Sequence, residues 1–273
     1  MKGVGRTLRV IAFFVGFSFS LQAQSFQLVE KISEGVSSIS RDGYGNLLLN
    51  KITTIEKYHL DSGKITSSYS ALSQGDVSCV DTKNSFKIMV FSEPYQQLFY
   101  LDNRLTVLSQ RVSLSGVTQS QIQCVCASYN DAFWMYEPMC SCLKRVNREG
   151  VVTNTTNPLS LYLDDTLFCP TQLLEFGNYV VALDTNYGLL FFDLFGNFIR
   201  PYPISGCRYV AESGSSLLLL TRESLCFLPE RMGEPLYRLP LPQTGCKAVL
   251  SDGKNLFLLS GEGELFHYIY RDF

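Results

Sequence analysis

Glu137 and Asp184 are the acidic side chains whose types and spacing could do chemistry. Each closes a short apolar run, and the two runs are neighbours in a series: Asn46–Asn50, Lys87–Ser92, Ala132–Glu137, Tyr179–Asp184, Ser216–Thr221 and Asn255–Ser260. Two carboxylates brought together either share a proton or hold a hard cation such as Ca²⁺. The other runs end in Asn50, Ser92, Thr221 and Ser260, so six such runs about one axis would form a polar ring. Tyr95, Tyr136 and Tyr187 lie beside that ring in sequence and suit stacking on a sugar or a peptide. The plainer reading is that short polar residues end strands and bond turn amides. Both readings stay open at this level.

Other chemistry is poorly served. The only histidines, His59 and His267, fall in the third strands of the first and last repeats, and no Cys/His spacing makes a zinc motif. A histidine-assisted Ser or Cys nucleophile is therefore not expected, and no catalytic residue is assigned. Ser251-Asp252-Gly253-Lys254 has the Ser-x-x-Lys spacing, but Asp-Gly makes it a turn. Cys140-Ser141-Cys142, with Cys124 and Cys126, is the one local cysteine cluster and the candidate disulfide site among nine cysteines. Cys79, Cys124, Cys169, Cys207 and Cys246 are read as one register of successive repeats, with Ser37 or Ser38 in that place in the first. Such positions are expected to be small buried thiols, too far apart for the ~7 Å Cα limit of a disulfide.

The elements that must position these residues follow from the period. The last residues of the runs are 37 to 47 residues apart, a spacing that signals a repeat architecture. The fourth repeat shows the plan: a strand near Thr171–Leu174, a turn over Glu175–Asn178, the run Tyr179–Asp184, a second turn, a return over Leu189–Leu194, a third turn, and an outer strand Phe198–Pro203. The runs are apolar almost throughout, which means burial on both faces, and they are too short for buried helices. A sheet standing between two neighbouring sheets in a radial array has that environment. The last repeat, Cys246–Leu250, Asn255–Ser260 and Glu264–Tyr270, lacks a fourth strand, while Ser25–Ile32 has no repeat of its own. The N-terminal strand is expected to complete the last sheet and cover its edge.

At the N-terminus, Lys2, Arg6 and Arg9 precede the apolar stretch Val10–Leu21, and Leu21-Gln22-Ala23 offers a cleavage site, so residues 1–23 read as a signal peptide and 24–273 as one domain. The apolar stretch falls short of the roughly 20 residues a membrane helix needs, and no transmembrane segment is expected in the mature chain. The 25 acidic residues outnumber the 23 basic ones, and cleavage would leave a net charge of about −5. That balance argues against a nucleic-acid surface. Expected locations are the periplasm, the outer membrane or the outside of the cell.

These features resemble the six-bladed β-propeller superfamily, which includes NHL, YVTN and TolB-like propellers. The resemblance spans about Phe26 to Phe273 and rests on motifs such as Ser251–Phe257 followed by Gly263-Glu264-Leu265-Phe266. It implies an all-β ring of six four-stranded antiparallel blades, with the ligand site on the face built from inter-blade loops and from the turns between second and third strands. Trp134 is the only tryptophan, which departs from quinoprotein-type repeats and speaks against a quinone cofactor. Lactonase-type members hold a divalent metal in the central channel, and Glu93-Pro94 and Glu137-Pro138 are faintly similar to their glutamate-containing start. The expected function is a non-enzymatic scaffold of the bacterial cell envelope that binds a protein or peptide, without a cofactor. The alternatives are a metal-dependent hydrolase or lactonase using Glu137 and Asp184, and a glycan- or small-ligand-binding protein.

Overall fold

Leu47–Leu49, Val180–Leu183, Leu217–Leu220 and Leu256–Leu259 are buried without a break, yet their side chains still alternate. Val180 and Ala182 pack with Trp134 and Leu143 on one side, whereas Val181 and Leu183 pack with Leu217 and Leu219 on the other. The same division recurs at every repeat, giving six apolar layers, one between each pair of neighbouring sheets. A period-two strand with apolar residues on both faces is the only strand that can serve two such layers.

The computed structural model describes residues 25–71, 75–163, 168–230 and 236–271; the signal-like residues 1–23 lie outside them. The chain is a six-bladed β-propeller. It opens with β1 (Ser25–Ser33). Blade one is β2 (Ser38–Arg41), β3 (Leu47–Asn50), β4 (Thr54–His59) and β5 (Lys64–Ser70), and blade two is β6 (Cys79–Asp81), β7 (Ile88–Ser92), β8 (Gln97–Leu101) and β9 (Val107–Ser113). Blade three is β10 (Val125–Ala127), β11 (Phe133–Glu137), β12 (Cys142–Val146) and β13 (Val152–Thr155), and blade four is β14 (Gln172–Phe176), β15 (Tyr179–Asp184), β16 (Gly188–Asp193) and β17 (Phe198–Pro203). Blade five is β18 (Tyr209–Ser213), β19 (Ser216–Leu220), β20 (Ser224–Pro229) and β21 (Tyr237–Pro240). Blade six is β22 (Cys246–Ser251), β23 (Asn255–Ser260) and β24 (Leu265–Arg271), with β1 as its outer strand. The first strand of each blade lies innermost, beside those of the two adjacent blades.

The expected closure is present: β1 pairs antiparallel with β24, from Ser25 opposite Arg271 to Ser33 opposite Leu265. The second strands match the expected runs to within one residue at either end. Asn46, Lys87 and Ala132 belong to the preceding turns, and Thr221 to the following one, where its N–H donates to the Ser224 carbonyl (2.9 Å). Turn chemistry is repeated too. Asp42, Asp102, Asn147 and Asp193 each accept hydrogen bonds from the backbone N–H groups two and four residues on, and the residue before the last donor has positive φ: Gly45, Leu105, Gly150 and Gly196.

The cysteines depart from the expected single register. Cys246 lies opposite Ser260, but Cys79 lies opposite Phe91, one residue short of the run's end, and Cys169 and Cys207 lie in the linkers before their strands. All five are free thiols, and Cys169 is exposed. Among the described residues no helix is long and apolar enough to cross a membrane.

Deleting β1 leaves the full edge of β24 unpaired. A chain beginning at Glu34 should melt roughly 10 °C or more lower, equivalent to about 3–5 kcal/mol in a domain of this size, or should aggregate. Circular dichroism melts and gel filtration read this directly, and a melt matching that of the full chain would show that closure contributes nothing.

Candidate functional site

Because the strands alternate in direction, the second strands end on the face that also carries the inter-blade linkers; this is the linker face. The opposite, hairpin face carries the turns between first and second strands and between third and fourth. The six expected ring residues all reach the linker face, but five of them are buried beneath it: Asn50, Ser92, Glu137, Asp184 and Ser260. Thr221 is half-buried.

Their partners are mostly the chain's own turns and linkers. The Asn50 amide donates to Ser38 Oγ (3.1 Å) and to the carbonyl of Val77 (3.0 Å) in the linker to blade two, and its oxygen accepts from Ile52 N (3.0 Å). Asp184 accepts from Cys169 N (2.8 Å) in the linker entering its blade, and from Asn186 N (2.7 Å) and Tyr187 N (3.1 Å) in its turn. Glu137 accepts from the Ser120 hydroxyl of the linker entering blade three and faces the Lys144 ammonium at 3.5 Å. Thr221 Oγ1 accepts from Ser224 N (3.0 Å), and Ser260 Oγ from Glu264 N (3.0 Å). Ser92 Oγ is buried with no hydrogen-bond partner. Chemically, the ring sews loops to strand ends. Glu137 and Asp184 are each engaged by their own linkers, and among the described residues no group of three or more His, Cys, Asp or Glu gathers for a metal.

The three nominated tyrosines separate. Tyr95 is exposed at the tip of the second turn of blade two, its ring over Gly75, where an added Cβ would come within 2.1 Å of it. Tyr136 and Tyr187 belong to the apolar layer between blades three and four, Tyr187 edge-on to Phe168 at 5.9 Å. Tyr136 precedes the end of β11, where the alternation of the strand turns it into that layer, and Tyr187 is the last residue of the turn before β16. Cys140 and Cys142 form a disulfide across Ser141, while Cys124 and Cys126 are buried free thiols.

What the ring leaves at the surface is carried by loop tips. Ile52, Tyr95, Met139 and Leu161 project from blades one, two and three and from the linker after blade three, 48 to 79% exposed. The corresponding tips of blades four to six are polar: Asn186, Arg222 and Glu262. A cleft of about 640 Å³ opens between blades four and five, bordered by Thr185, Asn186, Thr221, Arg222, Glu223 and Arg238. The histidines are elsewhere. His59 bonds Ser62 (3.1 Å) in a hairpin-face turn, and His267 bonds Asn255 (2.8 Å) and stacks on Phe257 inside blade six. The first turns of blades one to three carry Tyr44, Phe86 and Tyr129, an aromatic recurrence on the hairpin face outside the polar-ring pattern.

No protein-family model matches the chain, and no curated protein does. Solved structures match its fold. A catalytically inactive His-to-Ala virginiamycin B lyase from Staphylococcus aureus with quinupristin superposes with a TM-score of 0.61 at 11% identity, covering 90% of this chain and 98% of that one. A streptogramin B lyase gives 0.59 at 10% identity, covering 91% and 87%. A chain of a mitotic checkpoint complex gives 0.59 at 12% identity, covering 87% and 75%. With 1002 solved chains sharing the fold, the likeness is one of architecture, and function has to be argued from the site.

Glu137 offers a direct test of the sewing role. Burial pushes its carboxyl upward, but hydrogen bonds from Ser120 and Thr118 and the Lys144 charge outweigh that and hold it below its ordinary value of 4.5. A lowered carboxylate contributes stability that is present above about pH 4.5 and is lost as pH falls through its folded value. Glu137→Gln should therefore cost about 1–2 kcal/mol at pH 7 and clearly less at pH 3. Urea unfolding at both values measures the gap, and an equal gap would deny the carboxylate that role.

Proposed function

We propose that this propeller is an exported, non-enzymatic scaffold that binds a protein or peptide partner through its linker face. The observation that carries the reading is the arc of Ile52, Tyr95, Met139 and Leu161 on consecutive loop tips, with polar tips completing the circle. Large exposed apolar side chains grouped on one face mark interaction surfaces, and aromatic and methionine side chains inside a polar rim are the usual composition of an interface. The signal-like residues 1–23 support export to the periplasm, the outer membrane or beyond.

The lyases that share the fold suggest an enzyme reading, and the inactivating change in one of them removes a histidine. Nothing comparable supports it here, since both histidines of this chain are tied into blades one and six away from the linker face. The metal-dependent hydrolase reading needs Glu137 and Asp184 free and together; Asp184 is engaged by linker and turn donors, and Glu137 accepts from the Ser120 hydroxyl on one oxygen while the other, without a hydrogen bond, faces the Lys144 ammonium.

The proposal is tested by placing a photo-crosslinking residue at Tyr95 or at Met139 in the native host, with Phe195 on the hairpin face as control. Discrete adducts are expected from the first two positions only. Tyr95→Ser combined with Met139→Ser should leave the melting temperature unchanged, because both side chains are exposed, and should lower partner capture at least about tenfold. Adducts of equal yield from all three positions would remove the linker face as the docking surface. Stoichiometric Ca²⁺ or Zn²⁺ in the purified protein would favour the hydrolase instead.

A further inference from the structure

On the hairpin face, the first turns of blades one to three surround a cleft of about 730 Å³ with aromatic walls. Tyr44 and Phe86 are each 62% exposed, and Tyr129 is exposed beside them. Aromatic rings displayed on three consecutive loops do nothing for the apolar layers between blades.

Those rings are held in place before any ligand arrives. Tyr44 and Phe86 meet edge to face at 5.8 Å. The Tyr44 N–H donates to Asp42 Oδ1 (3.0 Å), the Phe86 N–H to Asn84 Oδ1 (3.0 Å), and Gly43 N to Ser85 Oγ (2.8 Å), which ties the two turns together. The next turn has Asn130 and Asp131 both at φ +57°, a two-residue hairpin turn that these side chains tolerate. Arg145 covers one face of the Tyr129 ring at 4.1 Å and donates to its carbonyl (2.8 Å). A preorganised wall loses little freedom on binding.

The polar character of the cleft narrows the ligand. Its two ammonium groups are already matched, Lys83 by Glu175 (3.4 Å) and Lys87 by Asp131 (2.8 Å), so it offers no surplus charge to an ionic ligand. Asn84, Ser85 and Asn130 contribute neutral donors and acceptors. Tyr100 lines the inner wall, and its buried hydroxyl has no hydrogen-bond partner. An unpartnered buried phenol asks for an explanation that packing does not give. Burial first, then Asp131 and Asp81, push it up to about 12, so it remains a hydrogen-bond donor at neutral pH.

We propose that this cleft is a carbohydrate site, in which a neutral pyranose ring lays its C–H face on Tyr44, Phe86 or Tyr129 and offers its hydroxyls to Asn84, Asn130 and Tyr100. An anionic ligand would meet only paired cations, and a purely apolar one would leave the amides and the phenol unanswered. The site is separate from the linker face and stands whether or not a protein partner docks there.

The test uses the full chain with maltotriose, cellotriose and triacetylchitotriose, read by saturation-transfer NMR and titration calorimetry. At least one should bind with a dissociation constant of about 1 mM or tighter. Tyr44→Ala with Phe86→Ala should weaken it tenfold or more, and Tyr100→Phe about three- to tenfold, both at an unchanged melting temperature because the first pair is exposed and the second change removes an unpartnered group. No binding up to about 10 mM, or binding that neither variant alters, overturns the proposal. So does retention of a casein-derived peptide mixture without any sugar, which would make the cleft a peptide groove.

Discussion

Burial of the second strand on both faces is the constraint from which the rest of the structure follows. Leu218 and Leu220 face blade six while Leu217 and Leu219 face blade four, so no blade owns its core and none can be dry alone. An apolar strand with one face in water would expose half of these side chains, at about 25 cal/mol for each Å². The ring must therefore close, and β1 performs the closure by pairing with β24 as the outer strand of blade six. The same constraint forces polarity to the strand ends, the first positions where a side chain leaves the apolar layers.

Neighbouring inner strands pack side by side without a shared ladder, so something other than sheet hydrogen bonds has to hold the blades at a common angle. Side chains bonded to the next blade's backbone do this. Asp81 accepts from Ala127 N (2.8 Å), Gln172 exchanges two bonds with Val210 (2.7 and 3.0 Å), and Gln96 does the same with Ile122 (both 2.7 Å). Lys247 reaches the Val36 carbonyl at 3.2 Å, and Tyr209 of blade five reaches past blade six to the Ile39 carbonyl of blade one at 3.4 Å. Asn50, Glu137 and Asp184 belong to this set, since each holds a linker to a strand end. Polar residues spent in this way serve the fold, so the side chains left exposed on the linker face are largely those of the loop tips.

This division explains what could be read in the sequence. The runs were legible because two-sided burial removes the usual alternation, and the closing strand because three strands in the last repeat and one spare at the start can be counted. The ring residues were legible as a pattern but not as a function, because a carboxylate that binds turn amides and one that binds a metal have the same spacing. Tyr136 and Tyr187 were ambiguous for another reason: one residue decides whether a side chain beside a turn faces solvent or a neighbouring blade. Cys124 and Cys126 lie close in sequence to Cys140 and Cys142, yet the former point into apolar layers and the latter flank a surface turn. Lateral bonds such as Lys83 to Glu175, across 92 residues, have no local signal at all.

The cysteines illustrate how the ring's geometry also sets reactivity. Close to the axis the wedge-shaped layers narrow, and a small, polarisable side chain fills such space without the bulk of Leu. Burial then protects it. The Cys79 and Cys207 thiols are pushed up to about 12 and Cys246 to about 11, chiefly by desolvation, while Cys124 and Cys126 are raised as well. Since the thiolate is the species that oxidises and exchanges, burial keeps these groups in their less reactive thiol form at neutral pH. The buried thiols at the blade interfaces are thereby shielded, Cys169 is an exposed free thiol outside that protection, and the pair that forms a disulfide, Cys140 with Cys142, sits on a turn rather than between blades.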